Sequence, residues 1–124
     1  MEKKILVIDD EELVSKSLIK LLKNNGYFAA IARGGQEAMD MVKKEDFDLL
    51  VCDVRMPEMD GVETIKQIRA YLEKAGKSPV PEVLITGYVD ADKYEKAMDL
   101  EVADYLPKPF DNNEFLRVVQ KIVG

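Results

Sequence analysis

Four short, mostly apolar runs in this chain each lead within two residues to a polar side chain, and between them lie stretches whose apolar residues recur at helical spacing. Ile5-Leu6-Val7-Ile8 runs into Asp9-Asp10, and Leu49-Leu50-Val51-Cys52 runs into Asp53. Glu82-Val83-Leu84-Ile85 runs into Thr86-Gly87, and Ala103-Asp104-Tyr105-Leu106 runs into Pro107-Lys108-Pro109-Phe110. Runs this short and this apolar suit strands buried on both faces, a situation that parallel sheets covered by helices create. The alternation predicts repeated βα units, hence an α/β fold with a parallel sheet. With a run at Phe28 to Ala32 the predicted strands number five: 4–8, 28–32, 49–52, 83–86 and 104–106. The first and third are the most continuously apolar and are expected at the centre.

The helices between them are read from their stripes. Val14, Leu18, Leu21 and Leu22 make the first, which Asn25-Gly26 ends with a left-handed cap. Ala38, Met41 and Val42 make the second, and Val62, Ile65, Ile68 and Leu72 the third. Phe115, Val118, Val119 and Ile122 make the last, opened by a capping box from Asp111 and Glu114. The fourth, around 90–100, offers only Tyr94, Ala97 and Met98 as an inner face and is expected to be the most loosely held. The stretch 76–81 is a turn-rich connection at the far end of the sheet, with no role assigned.

A chain of 124 residues suits one domain, residues 1–124, with a core that needs no disulfide or structural metal. No apolar run approaches the roughly 20 residues of a membrane span, and Met1-Glu2-Lys3-Lys4 leads straight into a strand without a signal-peptide pattern, so the expected location is cytoplasmic. A net charge of -6 argues against nucleic acid or an anionic membrane as a direct partner. The chain has no histidine, which leaves carboxylates, lysines, hydroxyls and a bound ion for chemistry. Cys52, set in an apolar run, reads as a small buried hydrophobe.

In an open parallel sheet the carboxyl ends of the strands converge on one crevice, where ligands bind. Asp9, Asp10, Asp53, Thr86 and Lys108 would share it. Taken alone, the acidic run 9–12 is explained by complementarity to a helix dipole, and Lys108 by an ordinary surface position. Thr86 could simply cap a turn, and Tyr105 could simply fill the core with its polar tip inside or outside. Together, Asp10 and Asp53 on neighbouring strands of a 2-1-3-4-5 order repel each other and need a cation. Carboxylates with a backbone carbonyl and waters suit octahedral Mg²⁺. Prolines on both sides of Lys108 fix its backbone, and a Lys-Pro bond can be cis, so the ammonium can be aimed.

These four strand ends, in this order, resemble the receiver domain of two-component response regulators along the whole chain. Val7-Ile8-Asp9-Asp10-Glu11 is similar to that family's acidic pair, and Cys52-Asp53-Val54-Arg55-Met56-Pro57 with Asp60-Gly61 to its phospho-acceptor loop. Thr86-Gly87 is similar to its switch hydroxyl and Lys108-Pro109-Phe110 to its lysine loop. The resemblance implies a flavodoxin-like, doubly wound five-stranded parallel sheet with five helices. It implies that Asp53 takes a phosphoryl group from a sensor histidine kinase or phosphotransfer protein, so the domain is a signalling module that catalyses only its own phosphorylation and dephosphorylation. It further implies Mg²⁺ held by Asp10, Asp53 and the carbonyl of Arg55, with Asp9 helping through water, and Lys108 on a phosphoryl oxygen. Thr86 and Tyr105 would switch the surface of the fourth helix, fifth strand and fifth helix toward an output domain or effector. Arg55 and Tyr88 would flank the access to the phosphoryl site. Glu101 stands where the family often has glycine, which implies strain of about 1 kcal/mol at that helix end.

Two other readings compete. An aspartyl-nucleophile phosphohydrolase resembles Asp-x-Asp at its nucleophile, but Arg55 stands two residues beyond Asp53 and no cap domain follows. A flavodoxin-type flavin carrier must cradle phosphate with hydroxyls and amides in its first loop, where Asp9-Asp10-Glu11 would repel it.

Overall fold

The computed structural model describes residues 2–56, 58–87 and 91–124. The chain alternates β1 (Lys4–Ile8), α1 (Glu12–Asn24), β2 (Phe28–Ala32), α2 (Gly35–Lys44), β3 (Leu49–Asp53), α3 (Gly61–Lys74), β4 (Glu82–Thr86), α4 (Ala91–Asp99), β5 (Asp104–Pro107) and α5 (Asn112–Val123). The five strands pair in parallel in the order β2-β1-β3-β4-β5, as the sequence predicts.

The pleat divides the core in two. Ile5, Val7, Leu49, Val51, Val83 and Ile85 face one side with Leu18, Leu22, Phe115 and Val119 of α1 and α5. Leu6, Ile8, Leu50, Cys52 and Leu84 face the other with residues of α2, α3 and α4. Each fully buried aliphatic side chain contributes about 1.5–3 kcal/mol of transfer free energy, so the two layers supply the main drive to this topology. Because β1 and β3 are buried on both faces, their apolar runs carry no polar alternation.

Helix ends follow the expected local chemistry. Gly26 takes φ 87° after α1, and the amides of Gly26 and Tyr27 donate to the carbonyls of Lys23 and Leu22, a Schellman closure. Asp111 and Glu114 cap α5 reciprocally. In α2 the buried residues are Gly35, Ala38, Met39 and Val42, with Met41 half-buried at the edge. The inner face of α4 departs more from expectation. Ala97 is buried, but Tyr94 and Met98 are 51% and 41% exposed, and the apolar anchors are Leu100 and Val102 just beyond the helix. A nine-residue helix that ends in a tight turn presents too narrow a face for its own stripe to be read.

That turn is made by Glu101 at φ 52°, the left-handed region in which a β-carbon is strained. Glu101 is exposed, and its attraction to Arg69 is a surface interaction of little worth. Glu101→Gly is therefore expected to raise stability by about 0.5–1 kcal/mol, read as a higher urea midpoint at unchanged slope. A lower midpoint would show that the side chain contributes more than its backbone costs.

Candidate functional site

Register sets the site. Ile8 lies beside Cys52, so the next residues, Asp9 and Asp53, emerge side by side at the carboxyl edge of β1 and β3. Ile85 lies beside Asp53, which puts Thr86 one step further along β4. Beyond β5, the Lys108 amide donates to the Thr86 carbonyl at 2.7 Å, and the Lys108–Pro109 bond is cis.

Asp53 is 2% exposed, and both its oxygens are held. The Arg55 amide donates to Oδ1 at 3.0 Å, and Lys108 Nζ donates to Oδ2 at 2.8 Å. The same ammonium lies 3.7 Å from Glu11 Oε1. Burial by itself would lower the Lys108 pKa, but the hydrogen bond to Asp53 and the charges of Asp53, Glu11 and Asp9 outweigh it and raise the pKa overall.

Asp9 is fully buried. Its Oδ1 accepts from the Glu11 amide at 2.9 Å, while Oδ2 is buried with no hydrogen-bond partner. Desolvation is the main cause that lifts its pKa to about 6; the Glu11 hydrogen bond opposes the rise, and the Asp53 charge adds to it. Asp10 is exposed and lines the same cavity as Asp53. The sequence places Asp10 beside Asp53; the fold adds buried Asp9 as a second acid that Asp53 repels.

The cavity at this edge has a volume of about 1050 Å³. Asp10, Glu11, Asp53, Arg55 and Lys108 form its polar end, and Leu13, Val14, Met56 and Phe110 its apolar end. Thr86 is buried and does not line it; the next residue, Gly87, does. Tyr105 points elsewhere, its hydroxyl donating at 3.0 Å to the carbonyls of Ala97 and Met98. Tyr88 lies outside the described residues.

The donor set fits Mg²⁺. Among the described residues no three acidic side chains gather closely enough to enclose a metal by themselves, but Mg²⁺ keeps several waters and needs only one or two carboxylates. A buried carboxylate oxygen without a partner, beside a second buried carboxylate, is the arrangement that a hydrated cation completes.

The loop after Asp53 is shaped by contacts that no sequence pattern announces. The Gly61 amide donates to the Val54 carbonyl at 2.9 Å, and a β-carbon on Gly61 would collide with the Asp53 backbone. Asp60 caps α3 by accepting from the Glu63 amide at 2.9 Å. In the sequence, Asp60-Gly61 stands out only through its similarity to the family's phospho-acceptor loop.

A family model described as the response regulator receiver domain matches residues 5–120. The transcriptional regulatory protein ZraR of Escherichia coli (strain K12) is 36% identical over 120 residues, 97% of this chain and 26% of that protein. The response regulator MprA of Mycobacterium bovis (strain BCG / Pasteur 1173P2) is 37% identical over 116 residues, 94% of this chain and 48% of that protein. This chain thus spans half or less of these relatives' length. Among solved structures, chemotaxis protein CheY4 of Vibrio cholerae superposes with TM-score 0.86 at 26% identity, covering 98% of this chain and 99% of that one. A response regulator receiver protein from Pseudomonas putida gives TM-score 0.86 at 30% identity, covering 98% of each chain.

Proposed function

This chain belongs to the response regulator receiver domain family, and from that premise we propose that Asp53 is the residue that accepts the phosphoryl group. Residues 1–124 act as one receiver module. One Asp53 oxygen attacks the phosphorus of a phosphohistidine on a sensor kinase or phosphotransfer protein; the P–N bond breaks, and the imidazole leaves with the bonding pair and takes up a proton. The observation that carries this reading is the contact of Lys108 Nζ with Asp53 Oδ2 at 2.8 Å, which presents a fixed cation where phosphoryl oxygens arrive. The Arg55 amide on Oδ1 holds the carboxylate plane so that it stays aimed.

Asp10, Asp53 and the Arg55 carbonyl would hold Mg²⁺, with Asp9 behind them through water. The bound ion supplies charge neutralisation on the transferring group. Arg55 and Tyr88 are assigned to the mouth of the site. Thr86 and Tyr105 are assigned to the switch that carries the phosphorylated state to α4, β5 and α5, and from there to an output domain or effector protein. Leu13, 83% exposed on the rim of the site cavity, supports contact with a protein phosphodonor at that edge. Among the described residues no helix is long and apolar enough to cross a membrane.

Acetyl phosphate with Mg²⁺ tests the chemistry without a kinase. The expected result is one phosphoryl group per chain by intact mass, mapped to the Asp53 peptide and absent when EDTA replaces Mg²⁺. Incorporation that ignores EDTA, or that maps to another peptide, would overturn the assignment.

A further inference from the structure

We propose that Met59 is a positioning residue for the divalent ion of this site, and that Gly35 is the seat that holds it. The proposal rests on the reading of Asp53 and the Arg55 carbonyl as ion-binding. Those two groups belong to the segment between β3 and α3. Its base is fixed by Gly61, packed on the backbone of Asp53 and Val54. Its outer part leaves the sheet and needs a second support.

Met59 reaches that support at the first residue of α2. A β-carbon on Gly35 would stand 2.5 Å from Met59 Sδ, 3.1 Å from Met59 Cγ and 2.6 Å from Thr64 Oγ1. Thr64 cannot yield cheaply, because it is fully buried and its hydroxyl donates to the Asp60 carbonyl at 2.9 Å. Gly35 itself is outside the left-handed region, so its missing side chain provides space, not backbone freedom. Its neighbour Gly34 has nothing within 4 Å of the same position. Immediately before Met59, Glu58 sits at φ 66°, a conformation that a non-glycine residue keeps only where its surroundings impose it. Met59 packed over the bare α-carbon of Gly35 is such an imposition. The N-terminus of α2, which contributes none of the proposed ion ligands, thereby sets where the Arg55 carbonyl points.

Calorimetric titration of the whole chain with Mg²⁺, with urea unfolding of each variant alongside, tests this. Gly35→Ala is expected to bind Mg²⁺ about tenfold more weakly, the scale of losing a support behind a metal ligand. Met59→Ala is expected to lose a similar factor, and the double variant no more than either single one, because both break the same contact. Met59→Leu, of similar volume, should keep most of the affinity, and Gly34→Ala all of it. Wild-type affinity in Met59→Ala, or losses that multiply in the double variant, would overturn the proposal. Should Gly35→Ala fail to fold, the comparison of Met59→Ala with Met59→Leu decides it: equal affinities reject the seat. A wild-type chain that binds no Mg²⁺, or an Asp53→Ala variant that binds it equally well, would instead reject the ion-site reading on which the proposal stands.

Discussion

Asp53→Ala is expected to take up no phosphoryl group from acetyl phosphate and Mg²⁺, while Lys108→Ala takes it up about a hundredfold more slowly. The first change removes the nucleophile. The second removes a fixed donor from the place where charge develops, a loss of about 10²–10³ in comparable sites. The structure adds a condition that separates this role from simple scaffolding. Lys108 bonds to Asp53 Oδ2 directly, so without an ion it is a cation that offsets the buried pair Asp9 and Asp53. Truncating it leaves the carboxylates more in need of a counter-charge, and Mg²⁺ should bind Lys108→Ala at least as tightly as wild type. Intact mass over time gives the rate and calorimetry the affinity. Slow phosphorylation with intact Mg²⁺ binding is the expected pair of results; joint loss of both would make Lys108 a structural residue.

Asp9→Asn is expected to stabilise the protein in EDTA at pH 8 by on the order of 2 kcal/mol. The folded-state pKa of about 6 lies above the ordinary 3.8, chiefly through desolvation. A carboxyl whose pKa is raised by folding favours the folded state while protonated. Its penalty is absent below pH 4, grows as pH rises through the window from 3.8 to 6, and is complete above it. A shift of this size corresponds to about 2–3 kcal/mol. The amide side chain keeps an oxygen for the Glu11 amide and removes the buried charge. Urea unfolding should therefore show a gap between variant and wild type at pH 8 that closes near pH 4, and that narrows at pH 8 when Mg²⁺ is added. A gap independent of pH would mean that the charge of Asp9 is not its origin.

The central place of β1 and β3, the helix stripes of α1, α3 and α5 and the capping box were legible because each is a local pattern with one physical cause, whereas the full strand order followed from likeness to a flavodoxin-like sheet. β1 and β3 are apolar throughout since both faces are covered, and Gly26 marks the end of α1 because the closure there needs positive φ. The left-handed turn at Glu101 was legible only through resemblance, since nothing local marks a glutamate as strained. The inner face of α4 was not legible: Ala97 alone is buried among the three expected residues, and the anchors Leu100 and Val102 belong to the chain that follows. At the site, periodicity brought Asp9, Asp53 and Lys108 to one edge, but it could not tell which acid would be buried, because the emergence angle of each residue depends on the turn after its strand. The seat of Met59 on Gly35 joins residues 24 positions apart on different elements, so no window of sequence contains it.

Tyr105 turns an event in one side chain into a question of helix length. Its hydroxyl is a second donor to the carbonyls of Ala97 and Met98 in the last turn of α4, which also accept from the amides of Leu100 and Glu101 at 3.3 and 3.2 Å. If the ring swings away, these two acceptors keep only the long amide bonds of the tight turn, and water competes for them most easily if the last turn unwinds. The residues released would be the exposed Met98 and the strained Glu101, so the outer surface would gain or lose a turn of helix as the ring moves in or out. A partner that reads this face would be measuring where α4 stops.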